Sequence, residues 1–147
     1  MKVAIIGFGF MGKAFAHSLS SINHYYKKYI PNVEIAGVLT SSFASSQKID
    51  LKKYNITNVY NRLEDILENN MIDSFYIASP NVLHYEQLLA VIEAEKNVLC
   101  DKPLVINLDQ SKKIIKSQKL NKIYQMMFEY RNFPAIREMK SLIEEMS

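Results

Sequence analysis

At 147 residues, with 48% hydrophobic and 22% charged side chains, the chain has room for one folded domain, too little for two, and no mark of disorder. Eighteen basic against fifteen acidic residues leave a net charge of +3, too small and too evenly spread to indicate a nucleic-acid partner. The single cysteine excludes an intrachain disulfide and a Cys-rich zinc site, which fits a reducing, cytoplasmic setting, and no apolar run reaches the roughly 18 residues of a membrane span.

Met1-Lys2, the apolar run Val3 to Met11 and Ala14-Phe15-Ala16 have the outline of a secretory leader. Leaders favour helix, however, and glycines at 7, 9 and 12 would each cost about 1 kcal/mol against alanine there. The segment therefore reads as a strand and a turn, and the mature protein is expected to begin here. Val3-Ala4-Ile5-Ile6 is a strand buried on both faces. Met11, Ala14, Phe15, Leu19 and Ile22 follow helical spacing. Pro31-Asn32 turns the chain into a second strand, Val33 to Leu39. A short helix within Phe43 to Tyr54 and a brief strand at Asn58-Val59-Tyr60 come next, then a helix marked by Leu63, Ile66, Leu67 and Met71.

Ser74 to Ala78 is the fourth strand, closed by Ser79-Pro80, with Asn81 as the expected cap of a helix. That helix is expected to bury Tyr85, Leu88, Leu89 and Ile92. Asn97 to Cys100 is the fifth strand, closed by Asp101-Lys102-Pro103. A helix from about Leu108 to Lys119, a strand from Ile123 to Phe128 and an amphipathic helix carrying Ile136, Met139, Ile143 and Met146 complete the chain. Strand and helix alternating about six times predict a doubly wound parallel sheet of about six strands, helices on both faces, as one domain over 1–147.

Three of only four glycines fall in Gly7-Phe8-Gly9-Phe10-Met11-Gly12, a G-x-G-x-x-G between first strand and first helix. Gly7 permits the tight turn, Gly9 lets main chain approach a pyrophosphate, and Gly12 lets helix and strand pack closely. The helix start adds unpaired N–H groups and partial positive charge. The pattern points to a dinucleotide; a tight turn without ligand and a methyltransferase are the competing readings. At the tip of the second strand, Leu39-Thr40-Ser41-Ser42 holds no acid to bind a ribose 2′-OH and repel a 2′-phosphate. Hydroxyls of Thr40, Ser41 and Ser42, with Lys48 close in sequence, favour NADP over NAD or allow both. A plain polar loop would look the same.

Two further segments are informative: Ala78-Ser79-Pro80-Asn81-Val82-Leu83-His84, leading to Cys100-Asp101-Lys102-Pro103, and Phe128-Glu129-Tyr130-Arg131-Asn132-Phe133-Pro134-Ala135. With the glycine turn they resemble the Gfo/Idh/MocA family of oxidoreductases, whose members carry T/S-P-N-x-x-H, E-K-P and Y-R-x-x-P-A in that order. The resemblance spans essentially the whole chain. It implies an NAD(P)-dependent oxidoreductase moving a hydride between nicotinamide and a sugar- or polyol-like secondary alcohol or ketone, homo-oligomeric in its full-length form. It also implies that Gly7, Phe8, Gly9, Phe10, Met11 and Gly12 hold the pyrophosphate. Ser79, Pro80, Asn81 and His84 would line the cofactor towards its nicotinamide end, and Asp101, in place of the usual Glu, would sit near that ribose. Lys102 would orient substrate and assist proton transfer, and Arg131 would close over the nicotinamide side. The family's second, substrate-binding α/β domain is missing from the sequence, so the chain is expected to be the cofactor half and to turn over little alone. A non-catalytic dinucleotide-binding or interaction module is the alternative.

Hydride transfer from an alcohol needs a base for the hydroxyl proton. A lysine at a strand's C-terminal edge serves if partly desolvated and near a cation such as Arg131; without the resemblance Lys102 reads as a solvated turn residue. His84, taken alone, is equally a helix-start histidine bonded to backbone. Cys100 reads as buried packing, and His17 and His24 as surface residues. Phe8, Phe10 and Phe15 read as packing residues, Phe8 also as a cofactor contact. The histidines at 17, 24 and 84 have no metal-ligand spacing, and no metal is expected. Tyr25 to Tyr29 reads as a helix end with snorkelling lysines.

Overall fold

The computed structural model describes residues 1–25, 32–41, 50–56 and 58–146. The elements run β1 (Lys2–Ile6), α1 (Phe10–Tyr25), β2 (Glu34–Leu39), α2 (Leu51–Tyr54), β3 (Val59–Tyr60), α3 (Leu63–Leu67) and β4 (Ser74–Ile77). There follow α4 (Asn81–Glu93), β5 (Asn97–Cys100), α5 (Leu108–Ser117), β6 (Tyr124–Met126), a 3-10 turn (Glu129–Asn132) and α6 (Pro134–Glu145). All five strand pairings are parallel, in the order β3-β2-β1-β4-β5-β6. The expected six-strand doubly wound sheet is present. Most of the segment Phe43 to Tyr54, expected to contain a short helix, lies outside the described residues with Ser42 and Lys48, as do positions 26–29 of the tyrosine-lysine stretch.

Period-2 alternation assigns β1 to two cores. Ala4 and Ile6 join Phe75, Ile77, Leu88, Val91, Ile92 and Ile114 on the face covered by α4 and α5. Ile5 points the other way, with Val38, Tyr76 and Ala16 of α1. Each core strand therefore reads as a continuous apolar run, as strands covered on both faces must.

Helix faces depart from expectation by part of a turn. In α1 the buried residues among those described are Gly12 and Ala16, while Ala14 is exposed. In α4 the buried set is His84, Leu88, Val91 and Ile92, with Tyr85 and Leu89 half-buried at its margin. Apolarity alone placed the face one residue off, because the helix buries a histidine whose polar atoms are all bonded. Asn81 is not a cap: Pro80, extended at ψ 140°, precedes the helix and no side chain caps it, so Asn81 is its first residue. The other long helices keep their expected places; Asn107 caps α5 by accepting from the Gln110 N–H at 2.9 Å. In α6 no residue is buried, and Ile136, Met139, Ile143 and Met146 face solvent.

Candidate functional site: a cleft at the strand ends

The sheet changes direction between β1 and β4, the place where ligands of doubly wound sheets bind. A cleft of about 810 Å³ lies there, lined from one side to the other by Lys13, Thr40, Ser41 and Asn61, by Gly7 to Met11, and by Ala78 to Asn81, Leu83, Gln87 and Asp101. Its volume suits a dinucleotide-sized ligand, since such sites measure roughly 300–1,000 Å³.

The floor is main chain. Gly7 leaves β1 at φ +92°, a conformation that side chains disfavour, and its N–H donates to the Leu39 carbonyl at 3.0 Å. A Cβ on Gly7 would lie 2.7 Å from Ser79 Cα, so the turns after β1 and β4 touch. A Cβ on Gly12 would collide with the Gly7 carbonyl, which is how α1 seats so close to β1. Gly9 is different in kind: a Cβ there would meet nothing within 4 Å. Its smallness serves no contact within the protein, and it faces the space a ligand needs. The first turn of α1 holds no acid, and its leading N–H groups have no intrahelical acceptor. Gly7 and Gly12 shape the turn, while Gly9 and the helix start leave a cradle for a diphosphate.

Around this floor the residues divide. Phe8 packs edge-on against Tyr54 at 5.4 Å and also lines the cleft. Phe10, expected to pack, is 84% exposed and lines the cleft instead, because the first helical position points outward. Phe15 does pack, its ring 4.2 Å from that of Tyr76. On the β2 side Thr40 is buried, donates from its N–H to the Tyr60 carbonyl at 3.0 Å, and reaches Asn61 Oδ1 with its hydroxyl at 3.2 Å. On the β4 side the Ser79 hydroxyl donates to Gln87 Oε1, and Pro80 and Asn81 form the lip.

Of the residues after β5, Asp101 lines the cleft; its N–H extends the ladder to the Ile77 carbonyl at 2.9 Å, and its carboxylate accepts from the Lys102 N–H at 2.9 Å. Lys102 is exposed and outside the cleft wall, joined to Pro103 by a cis peptide. The desolvation expected of it is not supplied by the described residues. Arg131 is exposed too, its guanidinium stacked 4.6 Å over the Phe128 ring rather than turned to the cleft.

His84 needs the clearest correction. It does not line the cleft: the side chain is fully buried, with Nδ1 2.7 Å from the Pro103 carbonyl and Nε2 2.9 Å from the Ser79 carbonyl. The ring is consumed in joining two turns. Beside it the Cys100 thiol, 3.7 Å from Nδ1, is pushed up to about 12 by burial and then by the Asp101 charge, so it is inert as a nucleophile. Burial, then Asp101, Glu129 and Cys100, raise the Tyr76 phenol as well.

Among the polar residues lining the cleft, the sequence reading gave no role to Lys13, Asn61 and Gln87. Lys13 and Asp101 are the charged side chains among the described lining residues. Thr40 and Asn61 follow the neighbouring strands β2 and β3, Asp101 follows β5 on the other side of the switch point, and Lys13 lies on the first turns of α1. Among the described residues no three His, Cys, Asp or Glu side chains cluster to hold a metal, and no helix is long and apolar enough to cross a membrane.

Known proteins share this arrangement. Levoglucosan dehydrogenase of Pseudarthrobacter phenanthrenivorans is 29% identical over 99% of this chain and 37% of its own length. The scyllo-inositol 2-dehydrogenase (NADP(+)) of Bacillus subtilis is 29% identical over 95% of this chain and 40% of its own. Among solved structures, levoglucosan dehydrogenase in complex with NADH and L-sorbose superimposes with a TM-score of 0.90 at 27% identity, over 99% of this chain and 38% of that one. An NAD binding oxidoreductase from Klebsiella pneumoniae superimposes with 0.89 at 25% identity, again over 99% and 38%. The chain thus spans about two fifths of the curated relatives it matches. The profile described as "Oxidoreductase family, NAD-binding Rossmann fold" matches residues 1–128, and with the glycine cradle at the switch point this makes the chain a member of the Gfo/Idh/MocA oxidoreductase family.

Proposed function

We propose that residues 1–147 form the NAD(P)-binding domain of an oxidoreductase acting on a sugar- or polyol-like secondary alcohol or ketone. The observation that carries this is Gly9, open to the cleft beside an acid-free helix start in a chain whose family binds NAD. The bound nicotinamide would supply the hydride chemistry; everything else falls to the chain's own groups. Gly7 to Met11 hold the diphosphate on main-chain N–H groups, with Gly12 seating the helix. Ser79, Pro80, Asn81 and Asp101 border the nicotinamide half. Lys102, one residue beyond Asp101, takes or gives the hydroxyl proton once a substrate-bearing surface covers it. Arg131 acts on the same side.

At the adenosine end the cofactor is NADP in preference to NAD. Thr40 and Ser41 offer donors where an acid would repel a 2′-phosphate, and Lys13 is the cation that the sequence motif lacked. Ser42, next in sequence, adds a further hydroxyl. The exposed stripe of Ile136, Met139 and Ile143 on α6 is the seat of the substrate-bearing part. Titration of the 147-residue chain with NADH and NADPH tests the reading. Binding of either, with NADPH the tighter and negligible turnover of inositols or levoglucosan, is expected. No binding of either refutes the cofactor assignment, tenfold tighter NADH refutes the preference, and rapid turnover refutes the incomplete substrate site.

A further inference from the structure

A neutral imidazole has one N–H and one bare nitrogen. Both ring nitrogens of His84 face carbonyl oxygens, which can only accept: Pro103 at 2.7 Å from Nδ1 and Ser79 at 2.9 Å from Nε2. Either neutral tautomer therefore leaves a lone pair opposed to a carbonyl lone pair. The side chain is fully buried, so water does not relieve the conflict. A doubly protonated ring satisfies both contacts, and both distances fall in the range of about 2.7–2.9 Å found for charge-assisted N–H···O bonds.

The two carbonyls belong to the turns that bound the nicotinamide half of the cleft. Ser79 follows β4 and lines the cleft, while Pro103 follows Asp101 and Lys102 after β5. We propose that His84 is a positioning residue held as an imidazolium, whose two N–H groups staple the Ser79 turn to the Lys102–Pro103 turn and so set Asp101 and Lys102 against the cofactor. The role given to Lys102 rests on the function proposed above; the staple itself does not. The titratable groups facing the ring from neighbouring elements are the Cys100 thiol on β5 and, on the turn it holds, Asp101 and Lys102. Cys100 stays neutral and leaves the ring's charge uncompensated. Asp101, whose field reaches Cys100, supplies the nearby negative charge, while Lys102 and the positive end of α4 oppose the cation. Burial of the ring opposes the cation as well, and the two carbonyls and Asp101 must outweigh all three.

The chain carrying His17→Gln and His24→Gln leaves His84 as the sole histidine for ring 15N NMR. At neutral pH both ring nitrogens are expected to bear protons; one bare nitrogen overturns the proposal. His84→Gln, which cannot reach both carbonyls, separates positioning from folding. Whichever of NADH and NADPH binds the unsubstituted chain more tightly should bind this variant about tenfold more weakly, the loss of one well-placed hydrogen bond, with ADP affinity unchanged. Equal losses for dinucleotide and ADP, or no loss for either, overturn the positioning role. If the unsubstituted chain binds no dinucleotide, the proposed function and the positioning role both fall, and the ring spectrum still decides the staple.

Discussion

Two glycines of one turn with different purposes make the sharpest test, for alanine at Gly12 and alanine at Gly9 should fail in opposite ways. A Cβ at Gly12 meets the Gly7 carbonyl head-on and lies 3.2 Å from the Gly7 carbonyl carbon and 3.3 Å from Ile5 Cγ2. Main chain cannot swing aside as a long side chain does, so α1 must lift from β1. Overpacking of this kind costs about 1–3 kcal/mol, against about 1 kcal/mol that alanine's helix propensity returns. A clash with main chain lies at the upper end of that range, and the net loss of about 2 kcal/mol lowers Tm by about 4–8 °C for a chain of this size. At Gly9 nothing stands within 4 Å and the backbone lies outside the left-handed region, so Tm should hold within about 2 °C. The added methyl instead occupies the space through which a diphosphate reaches the main chain, and dinucleotide affinity should fall at least about tenfold, or 1.4 kcal/mol. Circular dichroism melts and NAD(P)H fluorescence titrations of the two variants decide the matter. A Gly9→Ala protein that binds normally, or one that melts as early as Gly12→Ala, refutes the division of labour.

Lys13→Met should weaken NADPH by about tenfold while NADH changes less than about twofold, because the lost charge opposes only the 2′-phosphate; equal losses in parallel titrations would place Lys13 elsewhere. The Cys100 thiol, raised from 9.0 to about 12 on folding, holds its proton more firmly in the native state, so its contribution is complete below pH 9 and drains as pH climbs towards 12. Between pH 9 and 11 the natural chain should therefore lose about 1 kcal/mol per pH unit more than Cys100→Ala in urea melts, and parallel pH profiles would contradict this. Ile143→Lys should leave Tm within about 2 °C, since that side chain is 63% exposed; a larger drop means α6 is packed in solution against something these residues do not supply.

The fold was legible because each of its strands is a short apolar run bounded by turn residues, and each crossover helix carries its own period. Val3 to Ile6 and Ser74 to Ile77 needed no tertiary information to be recognised. Helix rotation was less legible, and for a physical reason. In α4 the stripe from Tyr85 to Ile92 and the stripe from His84 to Ile92 differ by one residue, and apolarity prefers the former. The structure chooses the latter because two distant carbonyls satisfy His84, and no local pattern announces partners at Ser79 and Pro103. The α6 stripe was legible as amphipathic, but amphipathicity says only that a face seeks cover, not that the described chain supplies it.

The site divides along the same line. Its floor is made of main chain at the ends of β1 and β4, and main chain enters a sequence only through the residues that permit its shape; hence three glycines in six positions disclosed it. Its rim is made of side chains gathered from remote segments. Lys13, Thr40 and Asn61 are 27 and 21 positions apart in turn, yet all three line the one cleft, Thr40 and Asn61 because β2 and β3 are neighbours in the sheet. Once the strand order is fixed, that meeting follows: the residues after β2 and β3 must be neighbours, as the Thr40–Asn61 contact at 3.2 Å records. Ordering the strands first and only then asking which side chains follow each one would have found Asn61. A motif-by-motif reading weighs only Lys48, near in sequence to the hydroxyls, whereas the lysine that lines the cleft among the described residues is Lys13, upstream on the first helix.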